Sequence, residues 1–496
     1  MNNKKTIFVS LLFPLAFAAA MLFFFPFRYR FEFDFDEGVN LIKAMLSMRG
    51  YRLYTDVWSD QPPVFTALLA LGFKFLGLKV TAGRLLVLGF STLLLISTTD
   101  YLYRKWGFLQ AISGIILIVT LPFYTTLSVS IMIGLPSIAF AMLALTLLTR
   151  WQETNKTSWL LLSATFLGLS MMTKIWTVIL APIFFAGIII HKSGYRRGKI
   201  NLHECIRPLI LWSLVFILVA VAILILLVGP DNIDQLISPH LEASKTDRMQ
   251  ALAAEGRLVG FLDDSIMLFI LAPFGVYTAF KAKGWHAFYL VAWALAATLL
   301  LSWNAPFWYH HQLLITIPTA MLGSIAIGSA LVELYRRLRT SMLWKSMTLF
   351  PLTVLLLSVV LAYQRIPKSF NNFRLDLPNI GTYDPVDDVD FEIVGLIGKY
   401  ADKTHYLFTD RPMYAFRSGM AVPPGLAVIT QKRYITGQPT QEEITAILEE
   451  TKPEQVIISR FSIPAVQKYM ETRNFVRVDN SPRSRHYVRG DIYENP

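Results

Sequence analysis

Two carboxylates on adjacent residues, Asp36 and Glu37, stand in the string FDFDEGVN (Phe33 to Asn40), directly after the first long apolar run. A carboxylate at a membrane–water boundary is costly unless it is hydrated, paired or functional. Partial dehydration raises its proton affinity, so such a group could take a proton from an attacking hydroxyl as a general base. The competing role is structural. Asp36 could cap a helix running through Ala44 and Met48, with Glu37 favoured in its first turn by the macrodipole. A second polar string, VWSDQPPVF (Val57 to Phe65), sets Asp60 and Gln61 just before Pro62 and Pro63. The prolines impose an extended lead into the next helix, so part of this string is architectural.

The elements that must position these groups are membrane helices. Of 496 residues, 54% are hydrophobic and only 16% charged, with mean hydropathy +0.47. Soluble chains carry about 25% charged residues. A single core stops growing at about 250–300 residues, so this apolar excess implies a polytopic α-helical membrane protein. Soluble enzymes and disordered chains are excluded. A β-barrel would alternate rather than run apolar for about 20 residues. About eleven spans are expected, near 7–27, 82–103, 108–128, 135–149, 157–172, 175–191, 209–229, 265–281, 286–303, 312–332 and 346–364. Residues 62–78 are apolar but open with two prolines and carry Lys74, which suits an interfacial helix. The start (MNNKK, an apolar run, Ala18 to Ala20) has features of a secretory signal. The run continues to Phe27, so a retained first helix is expected.

Lysine and arginine placement sets orientation. With the N-terminus cytoplasmic, the inside loops hold Arg104 and Lys105, Arg150 and Lys156, Lys192 to Arg207, Lys281 and Lys283, and Arg336 to Lys345. The net charge of +12 is therefore mostly a topology signal, and no nucleic-acid partner is expected. Acids gather elsewhere: six in 32–60, seven in 231–264 and seventeen of the 34 beyond residue 364. All three groups map to the outer face. The chain thus divides into a membrane domain (1–364), with outer loops at 28–81 and 230–264, and a C-terminal extracytoplasmic α/β domain (365–496). In the latter, Tyr406 to Thr409 and Val456 to Ser459 read as strands. Thr440 to Glu450 and Pro464 to Arg473 read as helices, the first opening with a capping box, Thr440 and Glu443. Cys205 is the only cysteine, so no internal disulfide forms and no cysteine metal site exists.

An acidic pair after the first span, a segment from Ala44 to Gly50, and a double proline before an apolar interfacial helix resemble the GT-C membrane glycosyltransferases. The nearest group is glycosyltransferase family 39, with its protein O-mannosyltransferases and lipid A aminoarabinose transferase. Arg84 in TAGRLLVL, Lys174 in MMTKIWTVILAP, the segment FWYHHQLLITIP (Phe307 to Pro318) and TDRPMYAFRSGMAVPP (Thr409 to Pro424) extend the resemblance in order along the chain.

The resemblance implies inverting transfer of a sugar from a polyprenyl-phosphate carrier to a hydroxyl acceptor at the outer face of a cell's inner (plasma) membrane. The acceptor would be a glycan, lipid or protein. On that reading Asp36 is the base and Glu37 orients it or holds the acceptor. Lys174, Arg84 and His310 or His311 meet the phosphate, whose developing charge calls for cations. Asp60, Gln61 and His240 face the acceptor. Each has a plainer alternative: Arg84 snorkelling or paired within the bundle, His240 on a solvated loop. Lys174 lies between apolar runs, where a charge is expensive. No cofactor is expected: His310 and His311 lack a nearby acid at ligand spacing, so a divalent metal is possible but not favoured. Two positions depart from the family. Gln61 replaces a lysine before the double proline, and Gly134 stands where an acid precedes a proline. A lipid-linked sugar transporter would also suit many spans, but should show two related halves, and none is visible. A catalytically silent subunit of a glycan assembly complex is the other alternative.

Overall fold

The computed structural model describes residues 3–192, 203–246, 258–282, 285–303, 307–339, 349–376 and 385–494. The membrane part is built from α1 (Asn3–Phe24), α2 (Phe35–Met48), α3 (Val64–Leu76), α4 (Val80–Lys105), α5 (Phe108–Val119), α6 (Gly134–Thr154), α7 (Thr157–Met171), α8 (Leu180–Lys192), α9 (His203–Ile223), α10 (Leu258–Lys281), α11 (Ala287–Trp303), α12 (Leu313–Arg339) and α13 (Leu349–Asp376). Among the described residues, six helical segments are long and apolar enough to cross a membrane, and six more are shorter apolar helices. The described residues of the expected spans lie mainly on helices. The stretch 108–128 is broken, however: α5 stops at Val119, and Phe123 takes a left-handed conformation at φ 60° before a single turn at Tyr124–Leu127.

The central helices α4, α6 and α12 are largely buried, whereas α1 and α9 expose most of their apolar surface. That distribution is expected of a bundle in lipid, where outer helices need no polar face. The α3 helix buries Val64, Phe65, Leu69 and Phe73 and exposes Leu71, Phe75 and Leu76. The long helix α4 separates two polar centres. Arg84 lies near its start, and Asp100, paired with Arg104 and Arg150, lies near its end, about 24 Å along the axis.

The expected domain boundary at 364/365 falls inside a continuous helix, because α13 runs on to Asp376. Beyond it come α14 (Pro385–Lys399), β1 (Leu407–Thr409), α15 (Met413–Ser418), α16 (Gln431–Ile435), α17 (Gln441–Thr451), β2 (Gln455–Ile458), α18 (Pro464–Thr472), β3 (Phe475–Arg477) and β4 (Arg485–Arg489). The four strands form one sheet ordered β1-β2-β4-β3. The β1–β2 pair is parallel (Leu407 opposite Gln455), and β4 is antiparallel to both β2 and β3. Parallel neighbours need a long crossover, which α15 to α17 supply. The Thr440 hydroxyl accepts from Glu443 N–H while the Glu443 carboxylate accepts from Thr440 N–H, closing the capping box. Phe408, Leu448, Val456, Val466 and Tyr469 form this unit's core.

The sheet-bearing unit packs on α2. A Cβ at Gly38 would lie 2.7 Å from the backbone nitrogen of Met413, so only glycine lets α2 and the start of α15 approach this closely. Arginines reinforce the contact. Arg411 bonds Glu32 at 2.6 Å and Asp390 at 2.8 Å, and Arg417 donates to the carbonyls of Arg30 and Phe31.

Candidate functional site

The acidic pair splits into two unlike environments. Glu37 is fully buried and forms a two-pronged pair with Arg84, Nη2–Oε2 2.7 Å and Nε–Oε1 3.2 Å. Glu37 also accepts from the backbone N–H groups of Phe33 (2.8 Å) and Ile131 (2.9 Å). Arg84 donates further to the carbonyls of Phe27, Arg30 and Phe31. Its fork is thus spent on a carboxylate and three carbonyls, which leaves none of its nitrogens uncommitted for a phosphate. Phosphate binding, expected for Arg84 above, does not fit this geometry. Pairing within the bundle, the alternative weighed for it, does. Glu37 likewise is committed to the scaffold: it ties α4 and the Ile131 loop to the first turn of α2.

Capping falls to a different residue than expected. Asp34 is the N-cap of α2, its Oδ1 accepting from Asp36 N–H at 2.9 Å, while its Oδ2 accepts from Tyr309 Oη–H at 3.0 Å. Asp36, one position into the helix, is thereby relieved of capping. No other described residue hydrogen-bonds its carboxylate. Burial, then the charges of Asp34 and Asp60, push Asp36 up to about 6 against the pull of Lys43 and Lys174. A half-buried, unpartnered carboxylate ionising near neutrality has the properties of a general base.

Lysines face it from two sides. Lys43 lies two turns further along α2 on the same face, 2% exposed, with Nζ 3.4 Å from Ser59 Oγ. Burial lowers its proton affinity, opposed by Asp60 and Asp36. Lys174 sits where α7 has ended and a short 3-10 segment, Ile175–Ile179, begins. Its Nζ lies 4.5 Å from the centre of the Trp176 ring, and burial brings it down to about 8. The Trp176 ring meets that of His311 at 4.4 Å, and His311 meets His310 at 4.4 Å. His311 Nδ1 accepts from Trp308 N–H at 3.3 Å, and His310 Nδ1 is buried with no partner among the described residues. Gly134 belongs to the same place. A Cβ there would lie 4.0 Å from Lys174 Nζ and 3.8 Å from the His310 carbonyl oxygen. The position that departs from the family pattern therefore faces Lys174, and the nearby negative charges acting on that ammonium come from Asp36 and Asp60 instead.

Asp60, also buried, is paired: its Oδ2 is 2.5 Å from Lys432 Nζ and 3.6 Å from His240 Nε2. Burial alone would raise its proton affinity, but Lys432, His240 and Lys43 together hold it well below the ordinary carboxylate range. His240 Nε2 is also 3.1 Å from the Asp60 carbonyl oxygen and so is not a freely solvated loop residue. Gln61 contributes its backbone here: its N–H donates to Ser59 Oγ and its carbonyl accepts from Tyr54 Oη–H at 2.6 Å. On the same seam, Trp58, Gln235, Arg433 and Glu443 line a cavity of about 360 Å³ between the first loop and the C-terminal unit.

Asp36, Asp60, Lys174, His240, His310 and His311 thus gather at one end of the bundle, with Glu37 and Arg84 as the scaffold beneath. Asp34, Lys43, Tyr309, Lys432 and Arg460 were not singled out from sequence. Lys43 carried a signal, as a lone charge in the apolar string NLIKAML seven residues after Asp36. Lys432 carried none, because 372 residues separate it from Asp60. Among the described residues no cluster of three or more His, Cys, Asp or Glu is placed to hold a metal ion.

Known proteins bear on this arrangement. Residues 60–227 match the family dolichyl-phosphate-mannose-protein mannosyltransferase. No curated protein matches the sequence significantly. Among solved structures, ArnT from Cupriavidus metallidurans bound to undecaprenyl phosphate is 13% identical, with a TM-score of 0.60 over 96% of this chain and 97% of that one. Its apo form is 14% identical, with a TM-score of 0.59 over 95% and 97%. The Archaeoglobus fulgidus oligosaccharyltransferase, in complex with Zn and sulfate, is 9% identical, with a TM-score of 0.51 over 91% of this chain and 68% of that chain. Over a third of its length the chain thus resembles that mannosyltransferase family, and its overall fold is that of ArnT from C. metallidurans and, more distantly, of the archaeal oligosaccharyltransferase.

Proposed function

We propose that this protein is an inverting glycosyltransferase that moves a sugar from a polyprenyl-phosphate donor to a hydroxyl acceptor on the outer face of the membrane. The observation that carries the reading is Asp36, an uncapped and unpaired carboxylate beside two lysines at the polar end of an apolar bundle. Asp36 takes the acceptor's proton, and the acceptor oxygen attacks the anomeric carbon opposite the phosphate. The carbon–oxygen bond to phosphate then breaks, and the carrier phosphate departs with the electron pair. Lys174, a cation below about pH 8, meets the growing negative charge, with His310 and His311 beside it. Asp60, Gln61 and His240 border the acceptor side. ArnT from C. metallidurans was solved with undecaprenyl phosphate, which supports a polyprenyl carrier here too.

Lysine and arginine placement supports a cytoplasmic N-terminus and an extracytoplasmic C-terminal domain in the plasma membrane. Polyprenyl-phosphate binding, followed by quenching of tryptophan fluorescence, tests the donor site. Lys174→Ala should weaken binding of the lipid phosphate about tenfold or more while acceptor affinity holds. Unchanged lipid affinity would reject the assignment of Lys174.

Metal removal offers a second test. The Asp60 carboxylate and the His240 ring are of the types that ligate divalent cations, but both already contact the Lys432 ammonium. Transfer should therefore persist after dialysis against a chelator, measured as product formed per enzyme. Activity lost in chelator and restored only by added divalent cation contradicts this.

A further inference from the structure

The C-terminal unit reaches into the site with one side chain. Lys432, on α16, places Nζ 2.5 Å from Asp60 Oδ2 and 2.9 Å from His240 Nδ1. Three elements distant in sequence meet at this ammonium: the loop before α3, the short helix Ser238–Ser244 and α16. The helix carrying it is held firmly. The Thr430 hydroxyl caps α16 by accepting from Arg433 N–H, and the Arg433 guanidinium lies over the Trp58 ring at 4.7 Å while donating to the Val428 carbonyl. Lys432 and Arg433 thus grip the Trp58–Asp60 segment at two points. Further along the unit, Arg460 covers the Phe35 ring at 3.5 Å, next to Asp36.

We propose that Lys432 is a positioning residue of the transfer site, a tethered cation by which the C-terminal domain neutralises Asp60, holds His240 and so sets the charge next to Asp36. The proposal rests on the transferase reading only for its consequence in catalysis; the charge arrangement stands without it. The groups facing Asp36 are Asp34 and Lys43 from α2 and its cap, Asp60 from the loop, Lys174 from the 3-10 turn, Tyr309 ahead of α12, and Arg460 from the C-terminal unit. Asp60 is the member of this set whose charge Lys432 cancels. With Lys432 removed, the bared Asp60 carboxylate raises the proton affinity of Asp36. His240, relieved of the neighbouring ammonium, gains a proton more readily and offsets part of the rise.

The test reads Asp36 directly in the full-length protein. Carbodiimide modifies protonated carboxyl groups, and mass spectrometry of the Asp36 peptide across pH gives its titration midpoint without any need for turnover. Wild type should titrate near pH 6. Lys432→Met should move the midpoint up by about half a unit to one unit, and Lys432→Arg, which keeps the charge, should leave it in place. If Lys432→Met does not yield folded protein, Lys432→Gln serves, since it keeps a donor for Asp60 and lacks the charge. In a turnover assay the acidic limb of the pH–rate profile should shift with the labelling midpoint. A midpoint unmoved in the neutral variants, or moved equally by Lys432→Arg, overturns the proposal. A wild-type protein that titrates as described yet transfers no sugar overturns the transferase reading instead, and leaves the role of Lys432 in the charge cluster intact.

Discussion

Asp36→Asn should lower the rate of sugar transfer by about 10²- to 10⁴-fold, the range a positioned general base supplies. The substitution preserves shape and removes only the ability to accept a proton. Asp34 keeps the cap of α2 and Glu37 keeps its pair with Arg84, so the helix has no reason to move. Melting temperature and lipid binding should therefore stay close to wild type while turnover collapses. The wild-type profile should carry the same signature. Asp36 must be ionised to act, and its carboxyl is pushed up to about 6, so kcat/KM should rise with pH through about 6 and level off above it. An Asp36→Asn protein with near-normal turnover assigns the proton to another group.

Arg84→Ala should have the largest effect on stability. Removing one partner of a buried, hydrogen-bonded pair leaves the other charge stranded, at a cost of about 3–5 kcal/mol. Here Glu37 would retain only two backbone donors and the Phe27 carbonyl would lose its own, while Arg417 still serves the carbonyls of Arg30 and Phe31. Arg84→Lys should not rescue the loss, because an ammonium cannot reach the carboxylate and three carbonyls in one fork. The double variant Glu37→Gln with Arg84→Met should recover part of it, since the stranded charge is then gone. Thermal unfolding in detergent ranks the four proteins. An Arg84→Ala protein that melts with wild type would show that the pair contributes nothing net and that Arg84 is free for another role.

The contrast between these neighbours marks what could be read from sequence. Apolar runs of about 20 residues report burial in lipid directly, so the helices from 7–27 to 346–364 were legible without any structure. The break after Val119 was not, because Thr120 to Phe123 is still apolar enough to continue a run. At the site, the residue types around Asp36 were visible as a dense acidic string, but the division of labour was not. Three acids within four positions compete for one cap, and Tyr309, 275 residues away, helps to commit Asp34 to it. Arg84 and Lys174 looked alike as charges in apolar surroundings. What separates them is tertiary: the carbonyls of Phe27, Arg30 and Phe31 turn toward Arg84, whereas the Lys174 ammonium lies over the Trp176 ring, beside Gly134, and feels the charges of Asp36 and Asp60 without a hydrogen bond to either among the described residues. Lys432 lies at the far limit of this logic, since nothing local distinguishes it from other surface lysines of the C-terminal unit.

On the proposed reading, Asp36 at the mouth of the bundle activates the acceptor while Lys174 meets the carrier phosphate. This division of roles is tested most directly by single-turnover release of free polyprenyl phosphate from a polyprenyl-phosphate sugar. Wild type and Asp36→Asn would be compared in the same vesicles at saturating donor and acceptor. The prediction is a wild-type burst of one equivalent whose product has inverted anomeric configuration, with Asp36→Asn binding the same donor but releasing phosphate at least 100-fold more slowly. Equal release from both proteins, or a product of retained configuration, contradicts it.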